Sequence, residues 1–345
     1  MHSKNTLLEK YKINKISEVD INKLSNFYKK TYFERHKSLT KNWRWWYRVG
    51  LTESEPIILS LDDKVIGQAA YLPTELNIKG KKIPAIWFQD YAVLPEFKGK
   101  GLGKLLSKEW MKICPNQMAI CSPDSLRVLK KLGWRDNFDT KRLAKPINLM
   151  KFIPVIKNLK LNFVNTSVRY FIKKKYNKNI SINPYPIESN FKSLNEAFKL
   201  KKYQENTEFA QIIRDEQWLY WRLMECPYKK DIFFFEYKNN FSIVHVYSVK
   251  NIKRLNILYT FHTESLHENA LVMMIVKWAI NNNIDLMWAI NKGKEFDNIF
   301  PKIFNKSIRY AAWSSDEKIF ETIQKGLLDF QGIDSDKESS TFIEN

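Results

Sequence analysis

Cysteine is scarce in this chain. The 345 residues include three, Cys114, Cys121 and Cys226, too few and too scattered for a disulfide framework or a metal-binding pair. That usage fits a reducing compartment. Histidine is nearly as sparse: His2, His36, His245, His262 and His267 show no ligand spacing, and no metal is expected. Long apolar runs are missing too. The longest, ALVMMIVKWAI from Ala270 to Ile280, holds a lysine and falls well short of the roughly 20 residues a membrane span needs. The opening MHSKNTLLEKYK has no apolar core of signal-peptide length. A cytoplasmic protein is expected.

Acidic residues are absent from one long stretch. Residues 141–180 carry 11 Lys and Arg and no Asp or Glu, more than half of the net charge of +20. Within it Ile156, Leu159, Phe163 and Phe171 fall near helical spacing, with Lys157, Lys160, Arg169 and Lys173–Lys175 between them. An interdomain helix with a solvated basic face is one reading. Docking to an anionic surface (a membrane, a carrier protein or tRNA) is the other.

The remaining composition is that of a globular protein. Hydrophobic content of 44% and 11 tryptophans argue against disorder, and the length allows two domains. YKINKIS at 11–17 alternates like a strand, and Asp20 caps a helical pattern through Ile21, Leu24, Phe27 and Tyr28. The apolar runs on either side of Asp62-Asp63 predict a hairpin. PAIWFQDYAVL predicts a third strand, ending at Pro95. GLGKLLSKEWMKI then places Leu102, Leu105, Leu106, Trp110 and Ile113 on one helical face. MAICS predicts a short strand and SLRVLKKLG a short helix closed by Gly133.

Further on, QWLYWRLMECPYKKDIFFFEYKNNFSIVHVYSV echoes NWRWWYRVGLTESEPIILSLDDKVIGQAAYLP. Each has a Trp/Tyr cluster, a proline, an apolar strand, a polar turn and another strand, which predicts a degenerate internal duplication. A helix starting at Ser265 and the buried strand IDLMWAIN follow. The clusters Trp43/Trp45/Trp46/Tyr47 and Trp218/Tyr220/Trp221 are expected to be core anchors, with sugar stacking as the other use of such rings.

KGKGLGK at 98–104 is the stretch that carries chemistry. It lies between a strand and a helix, so unpaired backbone N–H groups collect at a helix start, where the dipole favours an anion such as a pyrophosphate. Gly101 and Gly103 permit close approach, while Lys98, Lys100 and Lys104 add positive charge. The spacing is neither that of a Walker A loop nor GxGxxG. A solvated basic turn is the bland reading.

In its surroundings, YAVLPEFKGKGLGKLL resembles the acetyl-CoA signature of the GNAT acetyltransferase superfamily: an apolar strand, V-x-P, then [RQ]-x-x-G-x-[GA] opening a helix. VIGQAAYLP is similar to the family's central hairpin, and SLRVLKKLGW to its late helix. The resemblance covers residues 11–145. It implies an α/β (α+β) fold with a mixed central sheet and flanking helices. It further implies that Lys98, Gly99, Lys100, Gly101, Leu102, Gly103 and Lys104 cradle the pyrophosphate of acetyl-CoA. Ala92 and Val93 would pair with the pantetheine arm. Ser125 stands where the family has an Asn, and Leu129 where it often has the general-acid Tyr. Asp90, less so Glu75, is the candidate base, a hydrogen-bonded strand-end carboxylate being the plainer use of Asp90. Cys121 reads as a structural thiol.

The expected organisation is a GNAT-like acetyl-CoA-binding domain over 1–145, a basic linker over 146–185, a degenerate second copy over 186–333, and a tail over 334–345. The expected function is transfer of acetyl to an amine of a small-molecule acceptor, an amino sugar or sugar nucleotide of bacterial surface-polysaccharide synthesis among them. The rivals are a Fem-like aminoacyl-tRNA-dependent transferase and a non-catalytic CoA-binding module.

Overall fold

The computed structural model describes residues 10–148 except 34 and 50–54, residue 151, residues 208–291 except 239, 250 and 262–264, residues 300 and 305–327, and residue 334. Residues 152–207, which hold most of the basic stretch, and nearly all of the 334–345 tail lie outside these, with the readings placed on them. No helix among the described residues is long and apolar enough to cross a membrane.

The chain opens with strand β1 (Tyr11–Lys15), helix α1 (Ile21–Thr31) and helix α2 (His36–Trp46). Asp20 caps α1, its carboxylate accepting the Asn22 N–H at 2.6 Å. Strands β2 (Ile57–Leu61), β3 (Lys64–Ile78) and β4 (Lys81–Val93) follow as an antiparallel meander. Helix α3 (Leu102–Met111) then crosses to β5 (Asn116–Ile120), which lies parallel to β4. Helix α4 (Pro123–Lys130), β6 (Arg135–Asn137) and β7 (Lys141–Pro146) complete this half. Gly133, at φ +90°, ends the α4 segment as its sequence predicts. The apolar stripe of α3 buries Leu102, Leu106 and Trp110, but Ile113 falls beyond the last turn and is exposed.

The second half begins with β8 (Gln211–Ile213), a one-turn helix α5 (Glu216–Leu219) and a π-turn at Tyr220–Met224. Strands β9 (Ile232–Tyr237), β10 (Asn240–Val249) and β11 (Ile252–Phe261) form a second antiparallel meander. Helix α6 (Ser265–Asn281) leads to β12 (Leu286–Asn291), parallel to β11. Strands β13 (Lys306–Ser307) and β14 (Tyr310–Ser314) and helix α7 (Glu317–Gln324) close the described chain.

Two sheets result. The first has the order β1-β2-β3-β4-β5-β14-β6, with β8 added along the far end of β3; the second runs β13-β7-β12-β11-β10-β9. The pairings correspond: a meander, a parallel neighbour, then two antiparallel strands. In each sheet one of those last strands comes from the other half. Tyr310–Ser314 inserts between β5 and β6, and Lys141–Pro146 inserts between β12 and β13.

The expected cut at 145/146 therefore falls at the end of a strand of the second sheet. The start of the basic stretch is structural as well. Ile147 and Asn148 donate their backbone N–H groups to the Asp285 carbonyl, and Lys151 pairs with the buried Asp285 carboxylate at 2.6 Å. Sequence division by composition cannot see such an exchange, because strand partners are set by non-local pairing.

Candidate active site

The site begins with a break in register. Along β3 and β4, Gln68 pairs with Ala92 but Ala70 pairs with Gln89, so Ala69 faces the two residues Asp90 and Tyr91. This β-bulge bends β4. Parallel pairing of β4 with β5 covers Ile86, Trp87 and Phe88 and stops there. Past the bulge the two strands diverge, leaving the backbone of Tyr91–Val93 along one wall of a cleft.

Asp90 is at the bend with φ +46°, a conformation most side chains avoid. A buried network holds it there. Arg35 reaches it with both guanidinium arms, Nη1 to Oδ1 at 2.7 Å and Nη2 to Oδ2 at 3.2 Å. The Tyr47 hydroxyl donates to Oδ2 at 3.0 Å. Gln68 donates from Nε2 to Tyr47 Oη at 2.9 Å and to the Asp90 carbonyl at 3.3 Å, and accepts from Tyr28 Oη at 2.9 Å. Burial, reinforced by the charge of Asp90, pushes both phenols well above the usual tyrosine range, so each stays a donor. Of these partners only Asp90 itself is suggested by the sequence, since Arg35 lies 55 residues away in the chain.

The loop beyond β4 is built by two left-handed glycines. Gly99 (φ +79°) and Gly101 (φ +80°) turn the chain sharply into α3, where open space surrounds each Cα. Gly103 serves a different end. A Cβ there would lie 2.5 Å from Tyr91 Oη, so this glycine admits the phenol ring rather than a special dihedral. Burial also raises the Tyr91 hydroxyl above its ordinary pKa. The first backbone hydrogen bond of α3 runs from Leu105 N–H to Gly101 O at 3.0 Å. The N–H groups of the preceding turn are thus the orphan donors of a helix start.

Between this loop, the diverging end of β4 and helix α4 lies a cleft of about 790 Å³. Of the residues expected to hold a cofactor, Ala92, Val93, Lys98, Gly99, Gly101, Gly103, Lys104 and Ser125 all border it. Lys100 and Leu102 do not. Lys100 lies over the Phe97 ring, 4.8 Å from its centre, and Leu102 turns into the core. The cleft also gathers Lys30, Arg127 and Lys131, which no local pattern joins to the loop. Ser122, on its wall, caps α4 through its hydroxyl and the Ser125 N–H at 3.2 Å.

Asp90 is not on the cleft wall. Its side chain is 3% exposed with both oxygens engaged. Leu129 is core, while Val128 beside it faces the cleft. Burial pushes the Cys121 thiol up to about 12, Asp136 adding to the effect, which makes it unreactive. Of the aromatic clusters, Trp46, Tyr47, Trp218 and Trp221 are core anchors, Trp43 and Trp45 are half-buried, and Tyr220 is exposed; the two clusters meet across the halves, Trp45 and Trp221 packing with ring centres 5.6 Å apart.

Residues 12–136 match the family model described as an acetyltransferase (GNAT) domain. No curated protein sequence matches the chain. Solved structures share its fold at low identity. A GCN5-related N-acetyltransferase from Anabaena variabilis is 14% identical with a TM-score of 0.56, over 88% of this chain and 72% of that one. Another from Kribbella flavida is 12% identical with a TM-score of 0.58, over 88% and 70%. The Saccharomyces cerevisiae N-myristoyltransferase with bound myristoyl-CoA is 13% identical with a TM-score of 0.57, over 89% and 78%. The bulged strand, the glycine loop and the residues bordering the cleft all fall inside residues 12–136, the segment that matches the GNAT acetyltransferase domain, and the chain as a whole shares the fold of these acyltransferase structures.

Proposed function

We propose that the protein transfers an acetyl group from acetyl-CoA to the amine of a small-molecule acceptor. The GNAT domain match over residues 12–136, and the myristoyl-CoA bound by a neighbour of the same fold, support acyl-CoA as its co-substrate. The observation that carries the residue assignment is the divergence of β4 from β5 at the Asp90 bulge, with a helix start directly beyond it. The pyrophosphate sits at the N–H groups of Gly99–Gly103, where two glycines leave the backbone bare and the α3 dipole favours negative charge. Lys98, Lys104, Arg127 and Lys131 supply the surrounding positive field. The pantetheine arm runs along Tyr91–Val93, pairing with backbone that β5 no longer engages.

In this reading the thioester lies at the bulge. Its carbonyl is polarised by strand-end N–H groups, and the amine attacks it directly, expelling the CoA thiolate. Asp90 acts as a positioning residue. With Arg35 and Tyr47 it fixes the bend that opens the cleft, and taking a proton would cost it the Arg35 pair. Proton removal from the acceptor passes to water in the cleft.

An amine acceptor is tested by turnover. Acetyl-CoA is supplied with a panel of amines, amino sugars and amino-sugar nucleotides included, and free CoA thiol is followed. Thiol release that depends on one amine class supports the reading and names the acceptor. Thiol release independent of every amine contradicts it.

A further inference from the structure

A second cavity, of about 390 Å³, lies at the seam between the halves. Its walls come from the paired middle of the β3–β4 hairpin, Pro73–Glu75 and Pro84–Ile86, on one side and from the β8–α5 segment on the other. Pro84–Ile86 stand five or more residues upstream of Tyr91 along β4, which at ~3.3 Å per residue puts the cavity roughly 17 Å from the diverging strand ends. It is not part of the acetyl-CoA cleft, with which it shares no lining residue.

Arg48 is the unusual member of this wall. It is 7% exposed and sits at φ +51°. Its guanidinium carbon lies 5.1 Å from the centre of the Trp221 ring. No carboxylate among the described residues pairs with it, and its Nε is buried without a hydrogen-bond partner. A buried guanidinium lacking an anion is costly to hold, so a site that keeps one is built for a ligand that supplies the anion. Burial indeed pulls its pKa down, against the more distant charges of Asp215 and Glu225.

The other lining groups narrow the ligand. Ile86, Ile213 and Trp218 give apolar walls, which suit an organic molecule rather than inorganic phosphate. Asp215 lies on the wall, one carboxylate oxygen used in accepting the Trp218 N–H at 2.7 Å. Glu75 is exposed on the rim. Two carboxylates repel a polyanion and attract an ammonium. We infer that this cavity binds a free amino acid, its carboxylate on the Arg48 fork and its ammonium between Glu75 and Asp215, with the side chain against Trp218. The planar fork matches a carboxylate through two parallel hydrogen bonds. Because its walls come from both halves, the bound amino acid ties them together and stabilises their seam.

The test uses the full chain, the standard free L-amino acids as probes, and calorimetry with thermal unfolding as readouts. At least one amino acid is expected to bind at one site and to raise the unfolding temperature. Its des-amino and decarboxylated analogues should bind about tenfold or more weakly. R48Q should weaken binding by roughly 10- to 100-fold and leave acetyl-CoA affinity unchanged. If R48Q fails to fold, E75Q decides: the Glu75 side chain is exposed, so the replacement is expected to leave the fold intact, and its loss should cost about tenfold. Absence of binding by every amino acid overturns the inference, as does equal binding by acetate or phosphate. Binding indifferent to E75Q and, where it folds, to R48Q also overturns it.

Discussion

Trp45 and Trp221 hold each other by the same bond made twice. The indole N–H of Trp45 donates to the Trp221 carbonyl at 3.0 Å, and that of Trp221 donates to the Trp45 carbonyl at 2.9 Å. The flanking arginines repeat the exchange, Arg48 over the Trp221 ring and Arg222 over the Trp45 ring. Two segments that echo each other in sequence thus meet about a local two-fold relation. Replacing either indole by Phe removes one hydrogen bond across the seam, at about 0.5–1.5 kcal/mol. The two changes should couple, W45F/W221F costing less than the sum of the singles in urea unfolding.

Gly103 and Tyr91 form a second testable pair. G103A should impair acetyl-CoA binding, because the added methyl meets the phenol oxygen at 2.5 Å. Y91F in the same chain removes that oxygen and should restore most of the affinity. G101A meets open space and carries only the dihedral cost, about 1 kcal/mol, so Y91F should do nothing for it. Acetyl-CoA dissociation constants across the four variants check the assignment.

The Arg35–Asp90 pair separates positioning from proton transfer. R35M leaves the Asp90 carboxylate unpaired at 3% exposure and should cost at least ~3 kcal/mol of stability. D90N keeps the shape and neutralises the site. Activity of D90N should fall mainly through a raised KM for acetyl-CoA, with the acidic limb of the pH–rate profile unchanged. Disappearance of that limb in D90N would instead make Asp90 the base.

His245 gives a pH dependence with a definite sign. It is wholly buried, between Tyr228 and Tyr247. Burial, with the charge of Arg222 adding, lowers its pKa from 6.5 to about 3. The folded chain therefore holds it neutral where the unfolded chain protonates it. Its contribution to stability is full above pH 6.5 and is lost as pH falls toward 3, at up to about 1.4 kcal/mol per pH unit. Urea midpoints measured between pH 7 and pH 5 should slope downward, and H245Q should flatten the slope.

Much of this architecture was written locally. The Asp20 cap, the hairpin at Asp62-Asp63 and the stripe of Leu102, Leu106 and Trp110 follow from spacing alone, and so does the glycine loop between a strand and a helix. What the sequence hid is non-local. The bulge at Asp90 is a matter of register with β3, and Arg35 reaches it from the start of α2. Lys30 and Lys131 join the cleft only when α1 and α4 pack beside it. The exchange of β7 and β14 between sheets leaves no local mark, since either strand reads the same whichever sheet receives it. A bulge does recur in the second sheet, where Leu258 is skipped between Tyr259 and Ile257. There Phe261 is followed after three residues by α6, with no room for a loop like that between Val93 and Leu102.

On the proposed reading, the Gly99–Gly103 loop and the open edge of β4 bind acetyl-CoA. Calorimetric titration of the full chain with acetyl-CoA, beside a G101E/G103E variant, tests it most directly. Saturable binding at one site is expected in the unmutated protein and its loss in the variant, with thermal unfolding showing the variant still folded. No binding in the unmutated protein, or equal binding in the folded variant, would contradict it.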